Sequence, residues 1–341
     1  MEASVRVFLP TYRRPEMLKG AIQSLLAQDF THWVCEVRNN DLAGSAVVQD
    51  VVDAFGDPRI KMITNEPNCT ALMNFNGCFR SVKEPFCSIL EDDNLWKPQF
   101  LSRMMAHLEA HPQVRFAWSN QDIRYETADG WLDSDKTVTP AFEDMSARLV
   151  YFGHERQILG SLHSNSAMLF RSEAIETFLL PSDLPVAAME LFRDRVLPYP
   201  LLYVPEVLAT FSVTRGTVRS KSAAQWTEMQ ALTAASFLKY GKLSKDAFAD
   251  LLERSRAQAP PSTNSLLLGT ILSQNPEYKK LFRLSDWLHL LQTMVHHPKM
   301  FLTLAIKKRH PEWWNFIDAH TARQFANALS PMDDLHPSIG E

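Results

Sequence analysis

Three consecutive acidic residues, Glu91, Asp92 and Asp93, directly follow the apolar segment 86–90. Adjacent carboxylates repel one another unless a cation lies close by. Hard divalent cations take oxygen ligands and bridge to the phosphates of a substrate. The pattern therefore predicts Mg²⁺ or Mn²⁺ held by Asp93, with Asp92 at a sugar or ribose. The alternative is a solvated turn, in which the acids favour the start of a helix near Pro98.

The acidic residues belong to a regular alternation of apolar segments and helical patterns. Strands are predicted over 4–9, 33–37, 59–63, 86–90, 114–118 and 166–170, and helices from Pro15 and over 44–55, 70–82, 97–110 and 186–197. Residues 120–140 are polar and irregular, and 201–213 are expected to form strands at the edge of the same domain. Strands and helices that alternate with short connections predict an open α/β sheet built from parallel βαβ units.

Polar clusters fall at the carboxyl ends of three predicted strands. In open α/β sheets, ligands bind outside the carboxyl ends of the strands. We therefore expect these clusters to meet at one edge of the sheet. They are Pro10-Thr11-Tyr12, Asn39-Asn40-Asp41 and Asp92-Asp93.

Length and composition indicate two globular parts. The chain has 341 residues, of which 45% are hydrophobic and 22% charged, which excludes wholesale disorder. Glycine nearly disappears after about residue 221, and helical patterns dominate 223–255 and 277–329, with a loop or linker predicted at 256–264. We predict an α/β domain over 1–221 and an all-α C-terminal extension over 222–341.

Charge and cysteine content restrict the setting of the protein. The net charge of −4 provides no overall basic field, so no nucleic-acid partner is expected. The four cysteines show no CxxC spacing, which favours a reducing, cytoplasmic setting. The N-terminal residues do not resemble a secretory signal, and no apolar stretch is long enough for a spanning helix.

Five ordered segments resemble the family 2 glycosyltransferases, which have the GT-A fold, a Rossmann-like open mixed sheet with helices on both faces. The segments are VRVFLPTYRRPEMLKGAIQSLLAQ, WVCEVRNND, ALMNFNG (71–77), EDDN and LYVPEVLATFSVTRGTVRS (202–220). The resemblance covers roughly residues 4–220. It implies inverting, metal-assisted transfer of a sugar from a UDP-, dTDP- or GDP-linked donor to an acceptor.

The resemblance also assigns roles to single residues. Nucleotide-sugar binding is assigned to Pro10, Thr11, Tyr12, Asn39, Asp41, Asn76 and Asp92. Asn39 falls where the family usually has an aspartate that contacts the base. Asp93 falls on the metal motif, which implies Mn²⁺ or Mg²⁺ as cofactor. Glu190 lies near the family's catalytic carboxylate, and Asp194, then Asp183, are the next candidates for the base.

The chain departs from the family pattern at several positions. Asn39 replaces the usual aspartate, and Thr70 lies near the position where the family often has an arginine. The identity of the nucleotide base therefore stays open. Ala188 occupies a position that usually carries an acid. A catalytically weak nucleotide-sugar-binding protein that acts through its helical extension is therefore the alternative function. A nucleotidyltransferase is less favoured, because residues 10–15 contain no glycine.

Other residues near these motifs have both a functional and a structural interpretation. His163 and Asn165 are candidates for the acceptor site, or are hydrogen-bonded parts of a loop. Trp96 is a candidate wall of the sugar pocket, and core packing explains it equally well.

The helical extension contains a basic segment. Residues 278–310 carry seven lysines and arginines against one acid, Asp286, a local net charge of +6. Basic helices with interleaved aromatic residues suit an anionic membrane surface. A bundle with a solvated basic face, a homodimer contact and a protein acceptor are the alternatives. The leading hypothesis is a cytoplasmic enzyme, peripheral on the inner face of a membrane, that builds a surface glycan, glycolipid or glycoprotein.

Overall fold

The structure is a computed structural model that describes residues 4–80, 82–140, 144–162, 164–175, 179–215, 223–241, 243–257, 260–300 and 311–327. The strands are β1 Val5–Thr11, β2 Trp33–Asn39, β3 Ile60–Thr64, β4 Phe86–Ile89, β5 Leu95–Trp96, β6 Phe116–Thr127, β7 Gly130–Thr137, β8 Arg148–Val150, β9 Met168–Arg171 and β10 Leu201–Val213. The α-helices are α1 Pro15–Leu26, α2 Ser45–Phe55, α3 Ala71–Asn76, α4 Phe100–Ala110, α5 Met189–Arg193, α6 Ala223–Tyr240, α7 Lys245–Ala257, α8 Pro260–Leu272, α9 Pro276–Lys279, α10 Leu284–His296 and α11 Pro311–Asn327.

The strands form one mixed sheet in the order β3-β2-β1-β4-β9-β6-β10-β5, with β7 paired to β6 and β8 paired to β10. The first four strands of this order are mutually parallel, whereas β9 runs antiparallel to both β4 and β6. Helices α6 to α11 follow the sheet in the chain. The predicted open α/β sheet with an all-α C-terminal region is confirmed.

Apolar side chains of the sheet face two separate cores. Along β1, Val5, Val7 and Leu9 pack into one core, which also contains the buried face of α1. Phe8, between them, packs into a second core on the other face of the sheet. Successive side chains of a strand point to opposite faces, so a strand covered on both sides is apolar along most of its length.

Two predicted helices are shorter than their apolar patterns indicate. The helix expected over 70–82 is α3, which ends at Asn76 because the amide of Cys78 turns to the carbonyl of Phe75 at 2.8 Å. The helix expected over 186–197 is a 3₁₀ turn, Val186–Ala188, followed by the five residues of α5. Beyond α5, hydrogen bonds to the third preceding carbonyl close a tighter turn, as is common at helix ends.

Three segments that the sequence left irregular or at an edge differ in part from their predictions. The polar stretch 120–140 contains most of the hairpin formed by β6 and β7. The turn of this hairpin ends at Gly130, whose φ is +127°. Residues 201–213 form one strand, β10, which lies inside the sheet between β6 and β5. The linker predicted at 256–264 is shorter than expected, because α8 begins at Pro260. Proline suits the first turn of a helix, since a backbone N–H at that position has no acceptor within the helix.

The helical region packs directly against the α/β part. Trp313 of α11 donates its indole N–H to Asp183 at 2.9 Å, and Gln324 donates to the carbonyls of Arg195 and Leu197. The division into domains at 221/222 stays a prediction, since this boundary falls outside the described residues. Within the described parts of the chain, no helix has both the length and the apolar character needed to span a membrane.

Candidate active site

The polar ends of β1, β2 and β4 meet at one edge of the sheet. Thr11 is in register with Asn39 on β2, and β4 pairs with β1 up to Ile89. The Thr11 hydroxyl donates to Asp92 Oδ2 at 2.7 Å, although the two residues are 81 positions apart. The expected convergence of these clusters is confirmed. Pro10 is part of β1, where pairing with β4 has already ended, so its missing N–H removes no bond to that strand.

Asp92 and Asp93 share a cation that the sequence did not single out. Arg14, which precedes the first turn of α1, places Nη1 at 3.0 Å from Asp93 Oδ2 and 3.4 Å from Asp92 Oδ1. Burial and the charge of Asp93 raise the pKa of Asp92, while Arg14 opposes this rise. Burial also raises the pKa of Asp93. The adjacent pair of arginines in PTYRRP was the only sequence signal for this contact.

Two distant strands fix the backbone of the acidic loop. The carbonyl oxygen of Asp93 accepts hydrogen bonds from Arg124 Nη2 at 2.9 Å and from the Ser212 hydroxyl. The Asn94 side chain accepts from the Ser212 amide at 2.8 Å. These residues lie on β6 and β10, so no local pattern indicates their role. Over the described part of the chain, no group of three or more His, Cys, Asp or Glu side chains could hold a metal ion.

The side chain of Asn39 stabilises the conformation of the loop after β2. Its side-chain amide donates to the carbonyl of Asp41 at 3.0 Å and to Thr64 Oγ1 at 3.3 Å, and its oxygen accepts from the Asp41 amide at 3.0 Å. The residue is fully buried. Contact of Asn39 with a nucleotide base stays a prediction, and in this structure its donor and acceptor are both engaged within the protein.

The two carboxylate oxygens of Asp41 differ in their hydrogen bonding. Its Oδ2 accepts from Arg13 Nε at 3.3 Å, whereas its buried Oδ1 has no hydrogen-bond partner among the described residues. Arg13 adopts a left-handed backbone with a φ of 57° and places its guanidinium 4.9 Å from the centre of the Tyr12 ring. Nearly half of Tyr12 is exposed. Arg13 thus connects the aromatic ring of Tyr12, after β1, to the carboxylate of Asp41, after β2.

An open depression borders the same loop. Its volume is about 530 Å³, and it is lined by Asn65, Glu66, Pro67, Asn68, Cys69, Thr70 and Met73. Asn40 donates to the Cys69 carbonyl at 2.8 Å, which ties the depression to the end of β2. Asn76, one helix later, exchanges two hydrogen bonds with the backbone of Leu180. Its predicted part in nucleotide-sugar binding is not tested by these contacts.

Glu190 is the carboxylate of α5 that reaches solvent. One third of its side chain is exposed, and its nearest cation, Arg193 Nη1, lies 3.9 Å away. The Ser161 hydroxyl donates to Glu190 Oε2 at 3.4 Å. The surrounding protein raises the pKa of Glu190 through burial, and the charge of Arg193 opposes this rise. A partly accessible carboxylate with a raised pKa suits a general base.

Glu91 links the acidic loop to Glu190. Its carboxylate accepts from Asn165 at 3.3 Å, and from Asn94 and Ser166 at 3.0 Å each. Burial raises the pKa of Glu91 to about 8, and the charges of Glu190 and Asp93 add to the rise. Asn165 also accepts from Arg193, so the described contacts run without a break from Glu91 to the surroundings of Glu190.

The other candidates from the sequence have structural partners. Asp194 is fully buried, accepts from the Leu162 amide at 2.7 Å and pairs with Arg193 at 3.2 Å. Asp183 holds Trp313, as described above. Trp96 is buried, stacks on Phe100 at 4.3 Å and donates to the Ser166 carbonyl. His163 lies outside the described residues.

The sequence model of the family described as Glycosyl transferase family 2 matches residues 6–177, slightly more than half of the chain. The chain belongs to this family. The resemblance stated from its motifs is thereby confirmed, and the chain is a glycosyltransferase by family.

Two curated relatives from Escherichia coli match between about a third and a half of the chain. Escherichia coli K12 WcaA, assigned to colanic acid biosynthesis as a glycosyl transferase, is 26% identical over 51% of this chain and 61% of its own length. Escherichia coli WfgD is described as UDP-Glc:alpha-D-GlcNAc-diphosphoundecaprenol beta-1,3-glucosyltransferase. It is 25% identical over 35% of this chain and 46% of its own. The chain thus spans about half of the length of these relatives.

Solved structures extend the likeness to nearly the whole chain. S. aureus TarS 1-349 in complex with UDP superposes with a TM-score of 0.55 at 13% identity, and covers 95% of this chain and 92% of its own. The complex of the same protein with UDP-GlcNAc has a TM-score of 0.54 at 12% identity. At such identities the likeness shows the fold, and it confirms the predicted GT-A class.

Proposed function

We propose that this family 2 glycosyltransferase moves a sugar from a UDP-linked donor to a lipid-linked acceptor in surface-glycan synthesis, with inversion at the transferred carbon. The observation that carries the proposal is the unbroken series of contacts from the acidic loop, which would hold the donor, to Glu190. This series supports the proposal because it connects an accessible carboxylate, through Arg193 and Asn165, to the motif expected to bind the donor diphosphate. An inverting transfer needs a base on the acceptor side of the sugar.

The nucleoside would lie against Tyr12 and Asp41. An exposed aromatic ring offers a face on which a base can stack, and the free Oδ1 of Asp41 accepts from an N–H group. The imide N–H of uracil is such a donor, and a buried acceptor without a partner gains most from meeting one. The complexes of TarS with UDP and UDP-GlcNAc support a uridine donor for this chain as well.

A divalent ion would be held by Asp93. Members of the family commonly use divalent metals. The Asp93 side chain is 16% exposed and offers the hard oxygen that Mg²⁺ or Mn²⁺ prefers, so the donor set fits an ion that completes its shell with diphosphate and water. Such an ion neutralises the charge that develops on the leaving diphosphate. Asp92, held by Thr11, is placed for the ribose or sugar hydroxyls.

Glu190 would take the proton of the acceptor hydroxyl as that oxygen attacks the sugar. Its neighbours Ser161 and Arg193 orient the carboxylate without enclosing it. The lipid-linked acceptor is proposed from the printed name of WfgD, and a cytoplasmic location from the nucleotide-sugar donor. A homodimer stays open, and no nucleic-acid partner is proposed.

The donor proposal is tested by thermal denaturation with UDP-, dTDP- and GDP-sugars, each with and without Mn²⁺. Ligand binding to the native state raises its stability by RT ln(1 + [L]/Kd). UDP-sugars should raise the melting temperature most, and Asp93→Asn should remove the part that depends on Mn²⁺. Asp41→Ala should weaken UDP binding about tenfold or more, since a hydrogen bond to a charged group contributes about 1.5–3 kcal/mol.

Glu109→Ala is the matched control, because Glu109 is an exposed acid near the C-terminal end of α4 and makes none of the contacts described for the site. Release of UDP from the bound donor then separates the enzyme from the alternative function. Binding without any release, in the presence of lipid-linked acceptors, would favour a nucleotide-sugar-binding protein that acts through its helical region.

A further inference from the structure

Helix α10 turns a stripe of apolar side chains toward solvent. Six side chains, each between 41% and 76% exposed, form the stripe: Leu284, Trp287, Leu288, Leu291, Met294 and Val295. At about 100° per residue, this spacing places them within an arc of about 120°. A continuous apolar face of this kind on a protein surface marks an interaction site.

The opposite face of α10 attaches the helix to the protein. Asp286, Leu290 and Thr293 are buried there, and Thr293 donates to Asn264 of α8 at 3.1 Å. Asp286 pairs with Arg256 and also accepts from the Arg283 amide at 2.7 Å. The helix is therefore fixed by a narrow, partly polar face, and its apolar stripe contributes nothing to the core that was described above.

Basic residues flank α10 in the sequence. Lys279 and Lys280 precede the helix and Lys299 follows it, within the segment 278–310 whose net charge is +6. Lys280 reaches Glu277 and Arg283 reaches Glu253, so part of the local charge is balanced. The one acid of the segment, Asp286, lies on the buried face and not beside the stripe.

We infer that α10 docks on an anionic membrane surface, parallel to the plane of the bilayer. The stripe would enter the boundary between headgroups and acyl chains, and the flanking lysines would meet lipid phosphates. A second copy of the chain fits less well, because a two-fold axis through the stripe would bring two basic segments face to face. This inference goes beyond the proposed function and does not rest on it.

The test is co-sedimentation of the full chain with vesicles at low salt. Vesicles that contain phosphatidylglycerol should bind the wild type, and vesicles of phosphatidylcholine alone should bind it at least tenfold more weakly. The variant Leu288→Gln/Leu291→Gln should lose at least tenfold in binding to the anionic vesicles. Both leucines are exposed, so the melting temperature and UDP binding should not change.

A matched control replaces two leucines outside α10 that are at least as exposed as Leu288 and Leu291. Leu132 on β7 and Leu179 are 60% and 65% exposed, and Leu132→Gln/Leu179→Gln should bind vesicles as the wild type does. Brominated lipids should quench tryptophan fluorescence in the wild type and quench it less in Trp287→Phe.

Three results would overturn the inference. The first is a wild type that ignores anionic vesicles at low salt. The second is that Leu288→Gln/Leu291→Gln and its control Leu132→Gln/Leu179→Gln lose vesicle binding equally, or that both bind as the wild type does. The third is a wild-type dimer in sedimentation velocity that Leu288→Gln/Leu291→Gln dissociates, which would assign the stripe to a second copy. UDP binding, measured in parallel, reports separately on the donor site.

Discussion

Arg14 supplies the positive charge that two adjacent buried carboxylates require. One of its nitrogen atoms lies within 3.4 Å of both Asp92 and Asp93. A divalent ion at Asp93 would stand beside the same guanidinium, and like charges at such distances repel strongly where protein excludes water. The two cations would therefore compete for one carboxylate, and we expect a metal ion at Asp93 to displace Arg14 from it.

Replacing Arg14 should strengthen metal binding in the absence of nucleotide. We expect Arg14→Met to lower the Kd for Mn²⁺ about tenfold, which corresponds to about 1.4 kcal/mol, because Asp93 loses its competing partner. Titration followed by the electron paramagnetic resonance of free Mn²⁺ measures this change. Lys19→Met, which removes an exposed cation of α1 that pairs with Glu16, is the control. Equal Mn²⁺ affinity in all three proteins would contradict the competition.

Glu190 and Asp194 lie four residues apart but should respond differently to loss of their charge. Glu190→Gln should lower kcat about 10²–10⁴-fold, the usual contribution of a general base, with the donor Kd changed by less than about threefold. Asp194→Asn should instead lower the free energy of unfolding by about 3 kcal/mol, because it removes the buried carboxylate that balances the charge of the buried Arg193. Steady-state kinetics and urea denaturation measure the two effects. A normal kcat in Glu190→Gln would place the base elsewhere.

At the scale of elements, helices α6 and α8 approach each other closely at Gly269. A Cβ atom at Gly269 would lie 2.5 Å from Ala234 Cβ and 3.0 Å from the Ala231 carbonyl oxygen. Neither neighbour is the flexible end of a side chain. The crossing distance of these helices therefore depends on a residue without a side chain, which explains a glycine in the middle of a buried helix.

Two glycine-to-alanine changes should have opposite signs. Gly269→Ala should destabilise the protein by about 1–3 kcal/mol through overpacking, despite the better helix propensity of alanine. Gly20→Ala in α1 should stabilise it by up to about 1 kcal/mol, because the nearest atom to a Cβ there is Leu95 Cδ2 at an ordinary 3.6 Å. Urea denaturation of both variants measures these differences. A stabilised Gly269→Ala would show that the helices can separate without cost.

At the scale of the whole molecule, buried carboxyls with raised pKa values should make stability depend on pH. Glu91 is the clearest case, with a pKa near 8 in the folded state against an ordinary 4.5. Between these values the folded state binds more protons than the unfolded state. Its contribution is therefore complete below about pH 4.5 and is lost as the pH rises through about 8, with a slope of up to about 1.4 kcal/mol per pH unit.

Glu91→Gln should flatten this pH dependence. The variant cannot ionise, so its free energy of unfolding should fall less steeply from pH 5 to pH 8 than that of the wild type. Urea denaturation at several pH values, with a metal chelator present, measures the two curves. Glu16→Gln, which changes an exposed glutamate of α1, should follow the wild type. Parallel curves for Glu91→Gln and the wild type would mean that Glu91 is ionised throughout.

The sequence alone determined the features that depend on neighbouring residues. The alternation of apolar runs and helical periods predicted the α/β sheet, and it placed Thr11, Asn39 and Asp92 at one edge, because parallel strands end on the same side. The ordered motifs, each contained within a short segment, identified the family. Helix ends were less predictable, since α3 and α5 end in tighter turns although the apolar pattern continues, and the side chain of Asn76 at the end of α3 bonds to Leu180, 104 residues away.

Tertiary structure decided which of the candidate groups are engaged and which are available. Ser166 and Ser212 fix the acidic loop from 75 and 119 residues away. Asn39 is engaged, whereas the buried Oδ1 of Asp41 has no hydrogen-bond partner among the described residues. No local pattern predicts such pairings. The type of a residue determines which hydrogen bonds its side chain can form, but only the fold determines which partner lies within reach. The outward stripe of α10 has the same origin: periodicity defines an apolar face, and only packing determines whether protein covers it.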